Sequence, residues 1–360
     1  MRIAQVAPLY ESVPPQLYGG TERVVYHLTE ELVRQGHDVT LFAAGDSRTS
    51  AELVAACPRA LRLDSGCVDQ LAQHLVMLDT VAERAEEFDL VHYHVDYLHF
   101  PVSRRLNVPH VTTLHGRLDL PELVSVYEHF SEMPVVSISE AQRKPLPMAN
   151  WVATIYHGVP CSQFQFHPKP GDYFAFLGRI SPEKRLDRAI EIAQRVGIPL
   201  RVAAKVDKAD ANYFKEQIEP LLADPMVQFI GEIGEQEKSE FLGNARALLF
   251  PIDWPEPFGL VMIEAMATGT PVVAFRGGSV DEVVDDGVTG FIVEDLDRAV
   301  VAARRITELD RARCRATFER RFSSTSMGNR YAALYQRMIN PTLLPHALPP
   351  PGASKEAWPT

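Results

Sequence analysis

The chain alternates short runs of branched apolar residues with amphipathic stretches, and it does so twice over, with a Pro-rich interruption between the two rounds. The first round opens on "RIAQVAP". A long loop follows, then "TERVVYHLTEELVRQG", in which Val24, Val25, Leu28, Leu32 and Val33 recur at helical spacing. Thr21 can cap that helix and Gly36 can end it. "HDVTLFAAG" comes next as a strand. Strand, helix, strand in so short a span is a βαβ unit and demands a parallel sheet. "FDLVHYHV", "PHVTTLH", "PVVSIS" and "WVATIYHG" extend the pattern. "FQFHPKPGD" then breaks it, and "YFAFLG", "LRVAA", "VQFIG", "ALLFPI" and "PVVAF" begin it again, interleaved with helical stretches such as "KRLDRAIEIAQRVG" and "EKSEFLGNA".

The simplest architecture is α/β: two doubly wound, parallel-sheet domains joined near residues 161–171 and facing each other across a cleft. The expected spans are 1–165 and 166–317. The segment "ATFERRFSSTSMGNRYAALYQRMI" is expected to form a helical run ending near Ile339, and residues 340–360 to form a Pro-rich tail. Length agrees, since 360 residues exceed what a single core usually fills.

Charge and cysteine use exclude several classes. A formal charge of -11, from 47 acids against 36 bases, argues against a nucleic-acid coat or a surface held to anionic lipid by charge alone. Cys57, Cys67, Cys161 and Cys314 are scattered, with no C-x-x-C pair, which fits free thiols in a reducing compartment. "MRIAQVAPLY" reads as a first strand and not as a secretion signal, and no apolar run reaches the length of a membrane span. The expectation is a soluble cytoplasmic protein, free to visit the inner face of a membrane to meet a lipid substrate.

The segment "WPEPFGLVMIEAMATGTPVV" keeps Glu256 and Glu264 eight positions apart in an otherwise uncharged run. Pro257 suits a helix start, so the amides of Phe258, Gly259 and Leu260 are expected at its first turn, where phosphate binds. Glu264 would lie about one turn further in, and carboxylates are good acceptors for paired hydroxyls. The plain alternative is that Glu256 is a solvated loop acid and Glu264 caps a neighbour.

Other groups invite similar readings. In "FLGRISPEKRLDRA", Arg179 and Lys184 sit in a strand-to-helix loop and can clamp a diphosphate, or else are ordinary surface charge. Gly19 and Gly20 precede a helix and allow close backbone approach to phosphate, although "QLYGGTERV" is neither G-x-G-x-x-G nor a Walker A motif. His115 ends a strand in "TTLHG" and would project into the cleft, as a reacting-centre residue or simply as a satisfied polar one. His92, His94, Asp96 and His99 have the look of a metal cluster, but Tyr97 stands where a further ligand would follow, and a buried strand explains the histidines as well. No metal site is expected.

Taken together, "EPFGLVMIEAMATGTPVVA" with its E-x7-E spacing, "GRISPEKRLDRAI", "YGGTERVVYHLTEELVRQGHDVTLFA", "TLHG" and "GGSVDEVVDDGVTGFIVE" resemble the family-four retaining glycosyltransferases of the GT-B fold, over most of residues 1–310. The resemblance implies two Rossmann-like domains, the C-terminal one holding a nucleoside diphosphate sugar and the N-terminal one facing the acceptor. Residues 318–338 would cross back to the first domain. Arg179 and Lys184 would hold the donor diphosphate, Glu264 the ribose and Glu256 the transferred sugar. The amides of Phe258, Gly259 and Leu260 would complete the donor cradle, Gly20 would approach the phosphates, and His115 would sit beside the sugar.

The family often has glycine after the lysine where this chain has Arg185, which would crowd the loop or face solvent. The common N-G-V-D reads "HGVP" here, with His157 and Pro160. The implied reaction moves a sugar with retention to a glycan, a lipid or a small molecule, with neither metal nor cofactor. A sugar-nucleotide epimerase or a phosphorylase on the same fold, or a non-catalytic sugar-nucleotide-binding protein, are the competing readings. A pyridoxal-dependent phosphorylase would need a Schiff-base lysine, for which there is no clear candidate.

Overall fold

A computed structural model describes residues 1–16 and 19–340. The Pro-rich tail therefore lies, beyond Asn340, outside the described residues, as do Leu17 and Tyr18 of the first long loop. The chain divides into two compact units. One comprises Met1–Gly158 and takes in the helix Ser324–Ile339; the other is Val159–Ser323.

The first unit is built on seven parallel strands: β1 (Arg2–Val6), β2 (Asp38–Ala44), β3 (Glu52–Cys57), β4 (Leu90–Tyr93), β5 (His110–Thr113), β6 (Pro134–Ser137) and β7 (Asn150–Thr154). Their order is β3-β2-β1-β4-β5-β6-β7. Alternation along the strands sends side chains to two faces. Ala4, Val6, Phe42, Ala44, Val91 and Tyr93 pack with Met77, Leu78 and Val81 of the helix Gln70–Glu83. Leu41 and Ala43 face the other way and pack with Val25 of the helix Gly20–Arg34. That helix starts at Gly20 with Gly19 as its cap, so Thr21 lies inside the first turn and does not cap it. It ends at a left-handed Gly36, whose amide takes Val33 O at 2.9 Å.

The second unit carries six parallel strands: β8 (Tyr173–Arg179), β9 (Leu200–Lys205), β10 (Val227–Gly231), β11 (Ala245–Phe250), β12 (Val272–Phe275) and β13 (Gly290–Val293), in the order β10-β9-β8-β11-β12-β13. Phe174, Phe176, Val202, Leu249 and Val273 pack with Ala189, Ile190 and Ala193 of the helix Leu186–Val196 and with Ala299 and Ala303 of the helix Leu296–Arg305. The helix Leu260–Ala267 packs with the helix Arg311–Arg321. Arg311 is buried among carbonyls there: its guanidinium donates to His167 O, Ala245 O and Gly243 O and to Thr270 Oγ1, and burial pulls it down to about 10.

The single helical run expected toward Ile339 is instead two helices, Arg311–Arg321 and Ser324–Ile339. Phe322 O accepts the Val159 amide at 3.0 Å and Phe322 is fully buried, which interrupts the helix between them. Residues 318–323 thus remain with the second unit, and only the helix from Ser324 groups with the first. Among the described residues no helix is long and apolar enough to cross a membrane.

Candidate functional site

The "DWPEPFG" loop leaves β11 and runs into the helix Leu260–Ala267. The helix does not start at Pro257. Its first residue is Leu260, and Gly259, left-handed at φ 78°, is its cap. The cause lies in the "GGS" turn. Ser279 N takes Glu256 O at 2.9 Å, and Ser279 Oγ donates to Phe258 O at 2.8 Å. The carbonyls that a helix from Pro257 would give to its own amides are therefore engaged elsewhere, and Met262 N closes the first turn on Gly259 O. Phe258 lies ahead of the helix, while the N–H groups of Leu260 and Val261 have no acceptor within it and form the positive end of its dipole.

Glu256 is buried, and its carboxylate is fixed from two directions. Lys184 Nζ and Trp254 Nε1, the latter at 3.0 Å, both donate to Oε2. The Lys184 ammonium also lies over the rings of Trp254 and Phe250, 4.9 and 5.8 Å from their centroids. One ammonium is thus held by a carboxylate and two aromatic faces.

Glu264, one turn into the helix, is 2% exposed and has its own lysine: Lys238 Nζ donates to Oε1 at 2.9 Å and lies 3.0 Å from Glu235 Oε1. Lys238 sits on the helix Glu235–Gly243 and is itself buried. Nothing in its "EQEKSEF" context distinguishes it from a solvated helix lysine, so sequence reasoning missed it. The arrangement is two buried acids, each bound to a lysine, Lys238 buried and Lys184 partly exposed, on either side of a helix N-terminus.

Arg179 is the last residue of β8 and donates through Nη2 to Glu183 Oε1, with Asp207 and Asp210 carboxylates at 3.6 and 3.7 Å. Glu183 O in turn accepts Asp253 N at 2.9 Å, which ties the "SPEKR" loop to the "DWPE" loop. Arg185 neither crowds the loop nor points freely to solvent. It is left-handed, φ 52° and ψ 52°, the conformation that favours glycine. Its guanidinium forks onto Asp187 at 3.0 and 2.8 Å and reaches Asp253 at 2.8 Å, where Arg188 joins it at 3.0 Å. In this unit the fold brings together Lys184, Glu256, Gly259, Leu260 and, through Glu183 and Asp253, Arg179.

Gly19, Gly20 and His115 belong to the other unit. The two glycines begin the helix that follows β1, and a Cβ on Gly19 would fall 2.7 Å from Pro15 Cβ, so glycine is needed there for packing. His115 follows β5 and is largely buried. Its Nε2 is 2.9 Å from His94 Nδ1 and its ring stacks on His157 at 5.2 Å. Burial pulls it down to about 3, so it is neutral at ordinary pH. Gln142, another residue missed in the sequence, donates to Leu114 O and Gly116 O and so pins the backbone on both sides of His115.

The other histidines of "VHYHVDYLH" are bound to protein partners. His92 bridges Tyr335 and Thr113, His94 bridges Gln5 and His115, and His99 bridges Ser103 and Thr112. Among the described residues no group of three or more His, Cys, Asp or Glu side chains is arranged to hold a metal ion.

The chain is 27% identical over 345 residues to a phosphatidyl-myo-inositol mannosyltransferase of Mycolicibacterium smegmatis, covering 87% of this chain and 86% of that protein. It is 26% identical over 349 residues to a D-inositol 3-phosphate glycosyltransferase of Streptomyces scabiei, covering 79% and 77%. Among solved structures it superposes on AviGT4, a glycosyltransferase involved in avilamycin A biosynthesis, with a TM-score of 0.74 at 23% identity over 94% of this chain and 98% of that one. It also superposes on Anabaena HepE in complex with UDP and glucose, with a TM-score of 0.71 at 21% identity over 93% and 99%. Both share its fold of two Rossmann-like, parallel-sheet domains, GT-B. The family model for Glycosyl transferases group 1 matches residues 162–318 and that for Glycosyltransferase Family 4 residues 18–162, one falling on each sheet, and the chain belongs to the family-four glycosyltransferases.

Proposed function

We propose that this glycosyltransferase uses a nucleoside diphosphate sugar and transfers its glycosyl group with retention of the anomeric configuration to a hydroxyl of a glycan, lipid or small molecule. The observation that carries this reading is the Lys184 contact with Glu256 beside the helix start at Leu260, with Glu264 one turn further in. As the bond to the leaving diphosphate breaks, negative charge grows on its oxygens. Lys184, Arg179 and the amides at Leu260 supply fixed positive charge for it, so the reaction is assigned no metal or cofactor. Glu256, bound on one oxygen by Lys184 and Trp254, accepts from hydroxyls of the transferred sugar. Glu264 accepts from the ribose. Gly19 and Gly20 let the backbone approach the phosphates, and His115 contacts the sugar.

HepE, solved with UDP and glucose, and the two inositol-named relatives support the donor class and an acceptor bearing hydroxyls. An acceptor carried on lipid brings the protein to the inner face of a membrane from the cytoplasm. The test is turnover of Lys184→Ala at saturating donor. The loss expected is about 10²- to 10³-fold, the size of removing one preorganised donor. Undiminished turnover would remove Lys184 from the diphosphate site.

A further inference from the structure

A continuous chain of polar contacts runs inside the first unit. The β1–β4 register sets Gln5 opposite His92. Gln5 Nε2 donates to Tyr335 Oη at 3.2 Å, and Gln5 Oε1 is 2.8 Å from His94 Nε2. His94 Nδ1 is 2.9 Å from His115 Nε2. On the other side Tyr335 Oη lies 2.6 Å from His92 Nδ1, and His92 Nε2 lies 2.8 Å from Thr113 Oγ1. Gln5, His92 and Tyr335 are fully buried. His115 Nδ1 is buried and meets no hydrogen-bonding partner among the described residues.

The directions of these bonds follow from what each atom can do. Burial holds His92 and His94 well below the usual imidazole range, and His115 lower than usual as well, so each ring is neutral. A neutral imidazole carries one N–H and one lone pair. Gln5 gives its NH2 to Tyr335, so the atom facing His94 is a carbonyl oxygen, which only accepts. His94 Nε2 must then carry the proton, and His94 Nδ1 is bare. Two lone pairs cannot bond to each other, so His115 Nε2 carries its proton and His115 Nδ1 is bare.

Turning the Gln5 amide over would reverse every bond and leave an N–H on His115 Nδ1 with no acceptor. Buried orphan N–H groups are rarer than under-used acceptors. The orientation with the bare nitrogen is therefore the one the surroundings favour.

We propose that Gln5 and His94 are positioning residues that fix His115 as its Nε2–H tautomer and thereby offer its bare Nδ1 to a hydroxyl of the donor sugar. The proposal rests on the assignment of His115 to the sugar. Its consequence is selectivity: Nδ1 recognises a group that donates a hydrogen bond, such as a sugar hydroxyl, and repels a carbonyl or carboxylate oxygen at that place.

The test is nitrogen NMR of the full chain labelled with 15N-histidine, without substrate, with His115 assigned through His115→Gln. Wild type is expected to show a protonated Nε2 and a bare Nδ1 on His115. A protonated Nδ1 would overturn the proposal without any variant being made. Gln5→Glu keeps an acceptor facing His94 and is expected to keep the tautomer. Gln5→Leu removes that acceptor and is expected to give a mixture. If folded Gln5→Leu shows the wild-type tautomer alone, Gln5 has no positioning role. The spectrum is independent of catalysis. Should His115→Gln turn over the donor normally, the sugar assignment falls and with it the proposed ligand, while the tautomer result stands or falls by itself.

Discussion

Lys238 Nζ donates to Glu264 Oε1 at 2.9 Å, joining the helices Glu235–Gly243 and Leu260–Ala267 and placing a lysine on the inner acid of the pair as Lys184 is placed on the outer one. Both members are buried. Removing one partner leaves an uncompensated buried charge, which costs about 3–5 kcal/mol, whereas replacing both with apolar residues is often neutral. Lys238→Met is therefore expected to lower the free energy of urea unfolding by about that amount, and Lys238→Met with Glu264→Leu to recover most of it. A double variant no better than the single one would show that the two side chains are not coupled.

Gly278→Ala is expected to disturb Glu256 from outside the loop that carries it. Gly278 is left-handed at φ 54°, and a Cβ there would fall 2.1 Å from Glu256 O. A small misplacement of a reacting group can cost about 10²-fold in rate, so turnover should fall by roughly that factor. Gly287→Ala is the control. Its φ is 72°, but a Cβ would meet nothing within 4 Å, so only the backbone cost of about 1–2 kcal/mol applies and turnover of the folded protein should hold. Equal turnover in the two variants would contradict the packing of Gly278 on Glu256.

At Arg185 the backbone and the side chain pull in opposite directions. The left-handed conformation disfavours any residue with a Cβ, while the guanidinium ties Asp187 to Asp253. Arg185→Ala loses the ties and keeps the strain, and Arg185→Gly loses the ties but relieves the strain. The glycine variant should be the more stable by about 1 kcal/mol in thermal unfolding. An alanine variant as stable as the glycine one would mean that the strain at this position is not felt.

The buried histidines predict a pH dependence with a definite sign. Burial holds His115 at about 3 and His92, His94 and His99 well below the usual range, while in the unfolded chain each titrates near 6.5. Between those values the unfolded state binds more protons, so stability is greatest above about pH 6.5 and falls as pH drops through the window toward 3. Urea midpoints at pH 7.5, 6 and 5 should decline in that order. A flat series would show that these rings protonate in place.

Most of the fold was legible in the sequence because buried parallel strands are runs of branched apolar residues. The runs "HDVTLFAAG" and "YFAFLG" coincide with β2 and β8. The two strands that went unread, β3 and β13, lie at sheet edges, where β3 is only partly buried and β13 is four residues long. Helix starts were less legible. Pro257 reads as a start until Ser279, more than twenty residues later, takes the carbonyls of Glu256 and Phe258. The spacing of Glu256 and Glu264 and the loop lysine could be found because they are local. Lys238, Gln142 and Gln5 could not, because each gains its partner only when separate helices and strands pack, and none stands in a distinctive local pattern.

The most direct measurement follows the anomeric proton by NMR while the protein is incubated with a panel of nucleoside diphosphate sugars, with and without candidate acceptors. Consumption of one α-linked donor, release of the nucleoside diphosphate and first appearance of an α-configured product is the result expected of a retaining transferase. A β-configured first product, or an isomerised donor with no diphosphate released, would contradict it.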